Sequence, residues 1–176
     1  MIKKVLLAFL ALIVVLVLVG TFLSQHYECS RSVVIQAPPE KIFPLIGDLK
    51  AWPAWEPFSK DNPGMAITLA EKTTGVGARQ SWSGPGDSGH LTFTECDPKT
   101  GIAYDLVFVN GKNESLARSW IHMNPRSEGS TEVVWGINGE MNMPVIGGYF
   151  AKFSDRMMGP MFEEGLGKLK VVSEQK

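Results

Sequence analysis

The 176-residue chain is poor in the residues that hold metals or form disulfide frameworks, since it has two cysteines and three histidines. Cys29 and Cys96 are far apart in the chain, and no cysteine or histidine pair has the spacing of a zinc site. We therefore expect two free thiols, no metal and no cofactor.

The chain also lacks a charge imbalance. Its 17 lysines and arginines are interspersed with 18 acidic residues. Nucleic-acid binding needs a basic patch, so the sequence predicts no nucleic-acid partner. It equally contains no polybasic cluster for anionic lipid headgroups. Nothing in it indicates a protein partner. Internal repeats and low-complexity stretches are missing as well.

Charge is absent altogether from the apolar run Val5–Leu23, which directly follows Lys3 and Lys4. As a helix this run is roughly 28 Å long, close to the hydrocarbon thickness of a bilayer. A cleaved signal peptide is the alternative, but the run is long for a signal and no Ala-x-Ala site follows it. We predict an uncleaved single-pass anchor over residues 1–24.

Basic residues set the predicted orientation, because positive charge tends to stay on the cytoplasmic side. Two lysines precede the run, and the first basic residue after it is Arg31. The prediction is a span of the inner or plasma membrane, with residues 25–176 facing the periplasm or exterior. Their length suits one soluble domain.

Periodicity divides this domain into three parts. Arg31–Ile35 alternates like a strand, and a helix then begins at Pro39. Residues 65–141 read as five or six antiparallel strands separated by turns. After Pro144 the apolar period is helical, with a kink or break predicted at Gly159-Pro160.

This order, together with a Trp-x-x-Trp-x-Pro-Phe segment at residues 52–58, resembles the SRPBCC superfamily. Val33–Ala37 and Pro39–Phe43 match the opening of its polyketide cyclase/dehydrase-like, START-like branch. The resemblance covers nearly all of residues 31–172. It implies an α+β helix-grip fold, in which a curved antiparallel sheet wraps around a long C-terminal helix with an apolar cavity between them.

Strand alternation predicts which side chains face that helix, and small residues on one strand would leave space for a ligand. The predicted ligand-binding residues are Trp82, Phe93, Tyr104, Phe108, Ser115, Ala117, Ser119, Trp135, Met157 and Met161. The same pattern fits an ordinary core, and methionines suit either interpretation.

No catalytic constellation is recognisable. Alternation directs only Tyr104 and Glu95 inward among the polar candidates, whereas His90, Asp105, Arg118 and His122 point outward. Trp52 and Trp55 have two interpretations: a lid or membrane-interface anchor, or a pair that pins the short helical segment to the sheet.

Three hypotheses follow. The first is membrane-anchored binding of a lipid or other hydrophobic small molecule without covalent chemistry. The second is a cyclase or dehydratase acting on a polyketide-like substrate, which uses Tyr104 and Glu95. The third is an envelope interaction module whose cavity has no ligand.

Overall fold

The computed structural model describes residues 2–58, 64–85, 87–111, 113–126 and 129–175. Along the chain the elements are α1 (Ile2–Phe22), β1 (His26–Ile35), α2 (Pro39–Ile46), a 3-10 turn (Trp52–Ala54), β2 (Ala66–Leu69), β3 (Arg79–Gly84), β4 (Asp87–Asp97), β5 (Gly101–Asn110), β6 (Asn113–Pro125), β7 (Thr131–Glu140) and α3 (Gly147–Glu174).

The strands form one antiparallel sheet of seven in the order β1-β7-β6-β5-β4-β3-β2. After α1 the chain forms the edge strand β1 and crosses through α2 and the 3-10 turn to β2 at the opposite edge of the sheet. It then returns strand by strand to β7, which pairs with β1. The last helix, α3, then packs on β1 and β7. This is the predicted helix-grip α+β fold, which is confirmed.

The two tryptophans of the short helical segment are buried, with Trp55 fully covered and Trp52 4% exposed. Each indole N–H donates to a carbonyl near the end of α2: Trp52 Nε1 to Ile46 at 2.9 Å, and Trp55 Nε1 to Leu45 at 2.9 Å. These bonds pin the 3-10 turn to α2. The interpretation of this pair as a membrane-interface anchor is therefore wrong.

An arginine on β1 holds the middle of α3. Arg31 bonds to Asp155 through Nη1 and to Glu163 through Nε, at 2.7 Å in both cases. Gly159 lies midway between these acids, and a Cβ there would collide with the guanidinium group. The glycine thus makes room for the arginine. Of the predicted kink or break, the break is absent, because α3 continues through Pro160 without interruption.

By length and composition α1 is a helix that could cross a membrane, and a signal sequence would satisfy the same criteria. Its apolar side chains are exposed along its length. Near its C-terminal end it contacts the start of α3, where the Tyr149 hydroxyl donates to the Leu16 carbonyl at 2.7 Å.

Candidate ligand cavity

A cavity of about 330 Å³ lies between the sheet and α3. The 3-10 segment, the strands β2 to β7 and the middle of α3 all contribute to its wall. Among the described residues, those that line it are Trp52, Glu56, Phe58, Met65, Ile67, Gln80, Trp82, Leu91, Tyr104, Leu106, Phe108, Ser119, Trp135, Ile137, Met158, Met161 and Phe162.

Aromatic packing shapes the closed end of the cavity. The rings of Trp135 and Phe162 stack with centroids 4.5 Å apart and planes 12° from parallel. Trp55 meets Trp135 edge-on at 5.4 Å, and Trp52 meets Tyr104 edge-on at 5.5 Å. These are stacked and edge-to-face geometries of the kind in which aromatic rings pack favourably, so the cluster forms a well-packed wall of the cavity.

The cavity has an open side. Trp82, Phe108, Met158 and Met161 are only half-buried, whereas Trp135 and the other residues at the closed end are almost fully covered. Trp82 meets Phe108 edge-on at 5.5 Å. Phe58, Met65, Ile67 and Leu106 are half-buried as well. We call this less covered part of the described lining the mouth; it extends from Phe58 and β2 over β3 and β5 to the methionines of α3.

A small hydrogen-bond network occupies the wall of the cavity. Trp135 Nε1 donates to the Tyr104 hydroxyl at 3.1 Å and to Ser119 Oγ at 3.3 Å. Ser119 in turn donates to the Gly136 carbonyl at 2.8 Å. Burial raises the pKa of Tyr104 to about 12, although its bonds with Ser119 and Trp135 lower it. At neutral pH Tyr104 is thus a phenol, able to donate a hydrogen bond but unsuited to act as a general base.

A carboxyl group also lines the cavity, and it was not among the predicted site residues. Glu56 is 4% exposed, and its Oε2 accepts a hydrogen bond from the Phe58 backbone N–H at 2.7 Å. It is the one charged residue in the otherwise apolar segment between Trp52 and Phe58. A lone acidic residue within such a segment is the signal that could have identified it.

Six of the ten predicted ligand-binding residues line the cavity: Trp82, Tyr104, Phe108, Ser119, Trp135 and Met161. Phe93 instead is 1% exposed and packs in the core against Trp52 at 5.9 Å. Ser115 and Ala117 do not line the cavity either; the register places them directly opposite Phe108 and Leu106, which do.

Met157 does not line the cavity, because its side chain is 62% exposed. Helical periodicity alone joined Met157 to Met161 in one stripe. In the structure Met161 lines the cavity, whereas Met157 does not.

Glu95, expected to point inward, lies on the outer surface and forms an ion pair with Arg118. The cause is a β-bulge: Phe93 pairs with Tyr104 and Glu95 with Ala103, which leaves Thr94 as the extra residue in β4. One inserted residue reverses the alternation. The two weak catalytic candidates, Tyr104 and Glu95, are therefore on opposite faces of the sheet.

Comparison with known proteins agrees with this architecture. Residues 26–174 match the family described as polyketide cyclase/dehydrase and lipid transport. No curated protein matches the chain in sequence.

Several solved structures share the fold. A protein from Chromobacterium violaceum is 18% identical with a TM-score of 0.61, over 85% of this chain and 98% of its own. A Helicobacter pylori protein is 12% identical with a TM-score of 0.62, over 84% and 88%. DynU16, from the dynemicin biosynthetic locus, is 14% identical with a TM-score of 0.55, over 84% of this chain and 47% of its own. At these identities the likeness concerns the fold alone.

Proposed function

Because the chain belongs to the polyketide cyclase/dehydrase and lipid transport family, we propose that its cavity binds a lipid or other hydrophobic small molecule and that residues 1–24 anchor it in a membrane. The observation that carries this proposal is the cavity itself. Its volume of about 330 Å³ lies within the range of small-molecule sites, and its wall is mostly aromatic and aliphatic. Burial of apolar ligand surface would drive binding.

The few polar groups in the wall define the ligand further. Within the described part of the lining, the polar side chains are those of Gln80, Glu56, Tyr104 and Ser119. They suit a guest with one or two hydrogen-bonding groups on a largely apolar body, because an unmatched polar group in such a site is costly. The half-buried methionines at the mouth can adapt to irregular guests.

The cyclase alternative has less support from this geometry. Acid–base catalysis needs two titratable groups that converge on the substrate with pKa values near the working pH. Tyr104 stays protonated far above neutral pH, and Glu95 faces away from the cavity; the carboxyl group that lines the cavity with Tyr104 is Glu56. An interaction module with no ligand would not need an open cavity, so the unfilled interior favours the binding hypothesis.

A pair of tryptophan substitutions tests the binding proposal. Leu106 lines the cavity, whereas Leu116, on the neighbouring strand, is 64% exposed and outside it. Leu106→Trp fills part of the cavity, and Leu116→Trp adds the same bulk elsewhere. The full chain and both variants are purified in detergent, and native mass spectrometry with lipid extraction identifies any retained non-detergent molecule.

We expect the wild-type chain and Leu116→Trp to retain an apolar ligand, and Leu106→Trp to lose at least about 90% of it, because the indole occupies space that the ligand would fill. Equal retention by both variants, or an empty wild-type cavity that takes up no neutral apolar probe, would contradict the proposal. The intact mass from the same spectra shows whether residues 1–24 are retained in the mature protein.

A further inference from the structure

Four large apolar side chains are exposed on one face of the N-terminal half of α3 and the residue before it. Ile146, Phe150, Phe153 and Met157 have exposures of 50%, 43%, 56% and 62%. Their spacing of four, three and four residues places them in a single row on the helix, which we call the α3 stripe. Scattered exposed apolar residues need no explanation, but an aligned row of this size marks an interaction site.

Packing within the domain does not account for this row. The buried side of the same helical turns consists of small residues, namely Gly147, Gly148, Ala151 and Ser154. These residues allow a close approach: a Cβ on Gly148 would collide with Leu23. The domain thus covers the small side of α3 and leaves the large apolar side in solvent.

The start of α3 is joined to the end of α1. Tyr149 donates its hydroxyl to the Leu16 carbonyl at 2.7 Å, and Gly20 lies against Tyr149 and the Val145 carbonyl so closely that a Cβ would collide. Val145 takes a φ of 67°, which is rare for a β-branched residue and shows a tightly determined junction. Leu16 lies six residues before the end of α1, or about 9 Å along its axis.

This overlap has a geometric consequence. If α1 spans a bilayer, its last two turns lie in the outer part of that bilayer, within about 10 Å of its surface, and the first turns of α3 are at the same level. The α3 stripe begins there. Lys152 and Arg156 are exposed on the neighbouring face of the helix, and neither forms an ion pair within the described part of the chain. An exposed apolar row with basic residues on the neighbouring face fits a helix that lies in the membrane interface.

We propose that the α3 stripe is a second membrane contact, which inserts into the headgroup region of the bilayer that α1 spans. This proposal rests on the proposed function, in which residues 1–24 anchor the chain in a membrane. The contact lays the N-terminal half of α3 along the surface. Met158 and Met161, at the cavity mouth, follow directly on the same helix. The mouth is thereby held beside the bilayer, where an apolar guest can enter without crossing water.

Site-directed spin labels on the full chain test this arrangement. Phe153→Cys places the label on the α3 stripe, Leu12→Cys places it inside α1, and Leu116→Cys places it on an exposed position of β6. The background carries Cys96→Ser and keeps Cys29, which is buried, and labelling of that parent chain sets the baseline. The labelled chains are reconstituted into phosphatidylcholine vesicles that contain a minority of phosphatidylglycerol, and near-ultraviolet circular dichroism verifies that each is folded.

We expect collisions with a water-soluble nickel chelate to be at least about threefold fewer at Phe153→Cys than at Leu116→Cys, with oxygen collisions raised, because lipid excludes the chelate. A label at 153 as open to the chelate as the label at 116 refutes the α3 stripe proposal. If the label at 12 is nevertheless shielded by lipid, the anchor still stands; if it too is open to water, the anchor itself is wrong. Dipolar broadening between labels at 153 would identify a second copy of the chain on the stripe and would likewise overturn the proposal.

Discussion

The buried phenol of Tyr104 predicts how stability depends on pH. In the folded protein burial raises its pKa to about 12, from an ordinary value of 10.0. The folded state therefore holds this proton more tightly than the unfolded state does. The resulting stabilisation is complete below pH 10 and is lost as the pH rises toward 12. Since one pKa unit corresponds to about 1.4 kcal/mol, the loss over this window is about 2–3 kcal/mol.

Tyr104→Phe removes the titrating group and one hydrogen bond. At pH 7 the variant should be less stable by about 1 kcal/mol, because Trp135 Nε1 keeps Ser119 as an acceptor. Above pH 10 the wild-type chain loses stability and the variant lacks that loss. The difference in unfolding free energy should therefore shrink and change sign between about pH 10.5 and 11.5.

The assay is guanidinium unfolding of the detergent-solubilised full chain, followed by tryptophan fluorescence at several values between pH 7 and 11.5. Ser119→Ala is the matched control, since it disturbs the same network but keeps the phenol. It should lose stability at pH 7 and still show the alkaline loss. A constant difference between wild type and Tyr104→Phe across the whole range would refute the assignment of Tyr104 as a buried phenol with a raised pKa.

Three further substitutions or treatments have defined outcomes. Gly165→Val should lower the free energy of unfolding by about 1–3 kcal/mol in a denaturation experiment, because even a Cβ at this position would be 2.6 Å from the Trp135 ring; an unchanged midpoint would mean that the helix is not so close to the sheet. Glu95→Gln should change stability by less than about 1 kcal/mol, since its ion pair with Arg118 is exposed, and it should leave ligand retention unchanged in native mass spectrometry; loss of the ligand would return Glu95 to the site. Cys29 should react with iodoacetamide only after unfolding, as followed by mass spectrometry, because burial, and next its bond with Asp155, raise its thiol pKa to about 11; rapid alkylation of the native chain would contradict its buried position.

Much of the fold follows from local sequence. The alternating strands between Met65 and Met141, the terminal helix after Pro144 and the segment at Trp52 are each encoded by period, turn residues and composition. These signals depend on residues close together in the sequence, so they can be recognised without knowing which other elements each segment packs against. Alternation also assigns Tyr104, Ser119 and Trp135 correctly to the inner face, because their strands are regular.

Predictions failed where one residue changed the geometry. The bulge at Thr94 moves Glu95 to the outer surface, and the strand sequence itself gives no sign of an extra residue. Gly159-Pro160 resembles a helix break in isolation, yet the glycine makes room for Arg31 and the helix continues. Both features depend on contacts between segments that are distant in the chain.

The amino-acid sequence alone determined the existence of an apolar, span-length helix, the order of the elements and the apolar face of most strands, since each is a matter of local period and composition. Tertiary structure decided which residues share the cavity wall, that Glu56 is among them, and that the apolar residues of α3 divide between the cavity and an exposed row. One face of this helix is covered from Gly147 to Ser173, and which face that is depends on packing against β1, β7 and α1 rather than on a pattern within the helix alone.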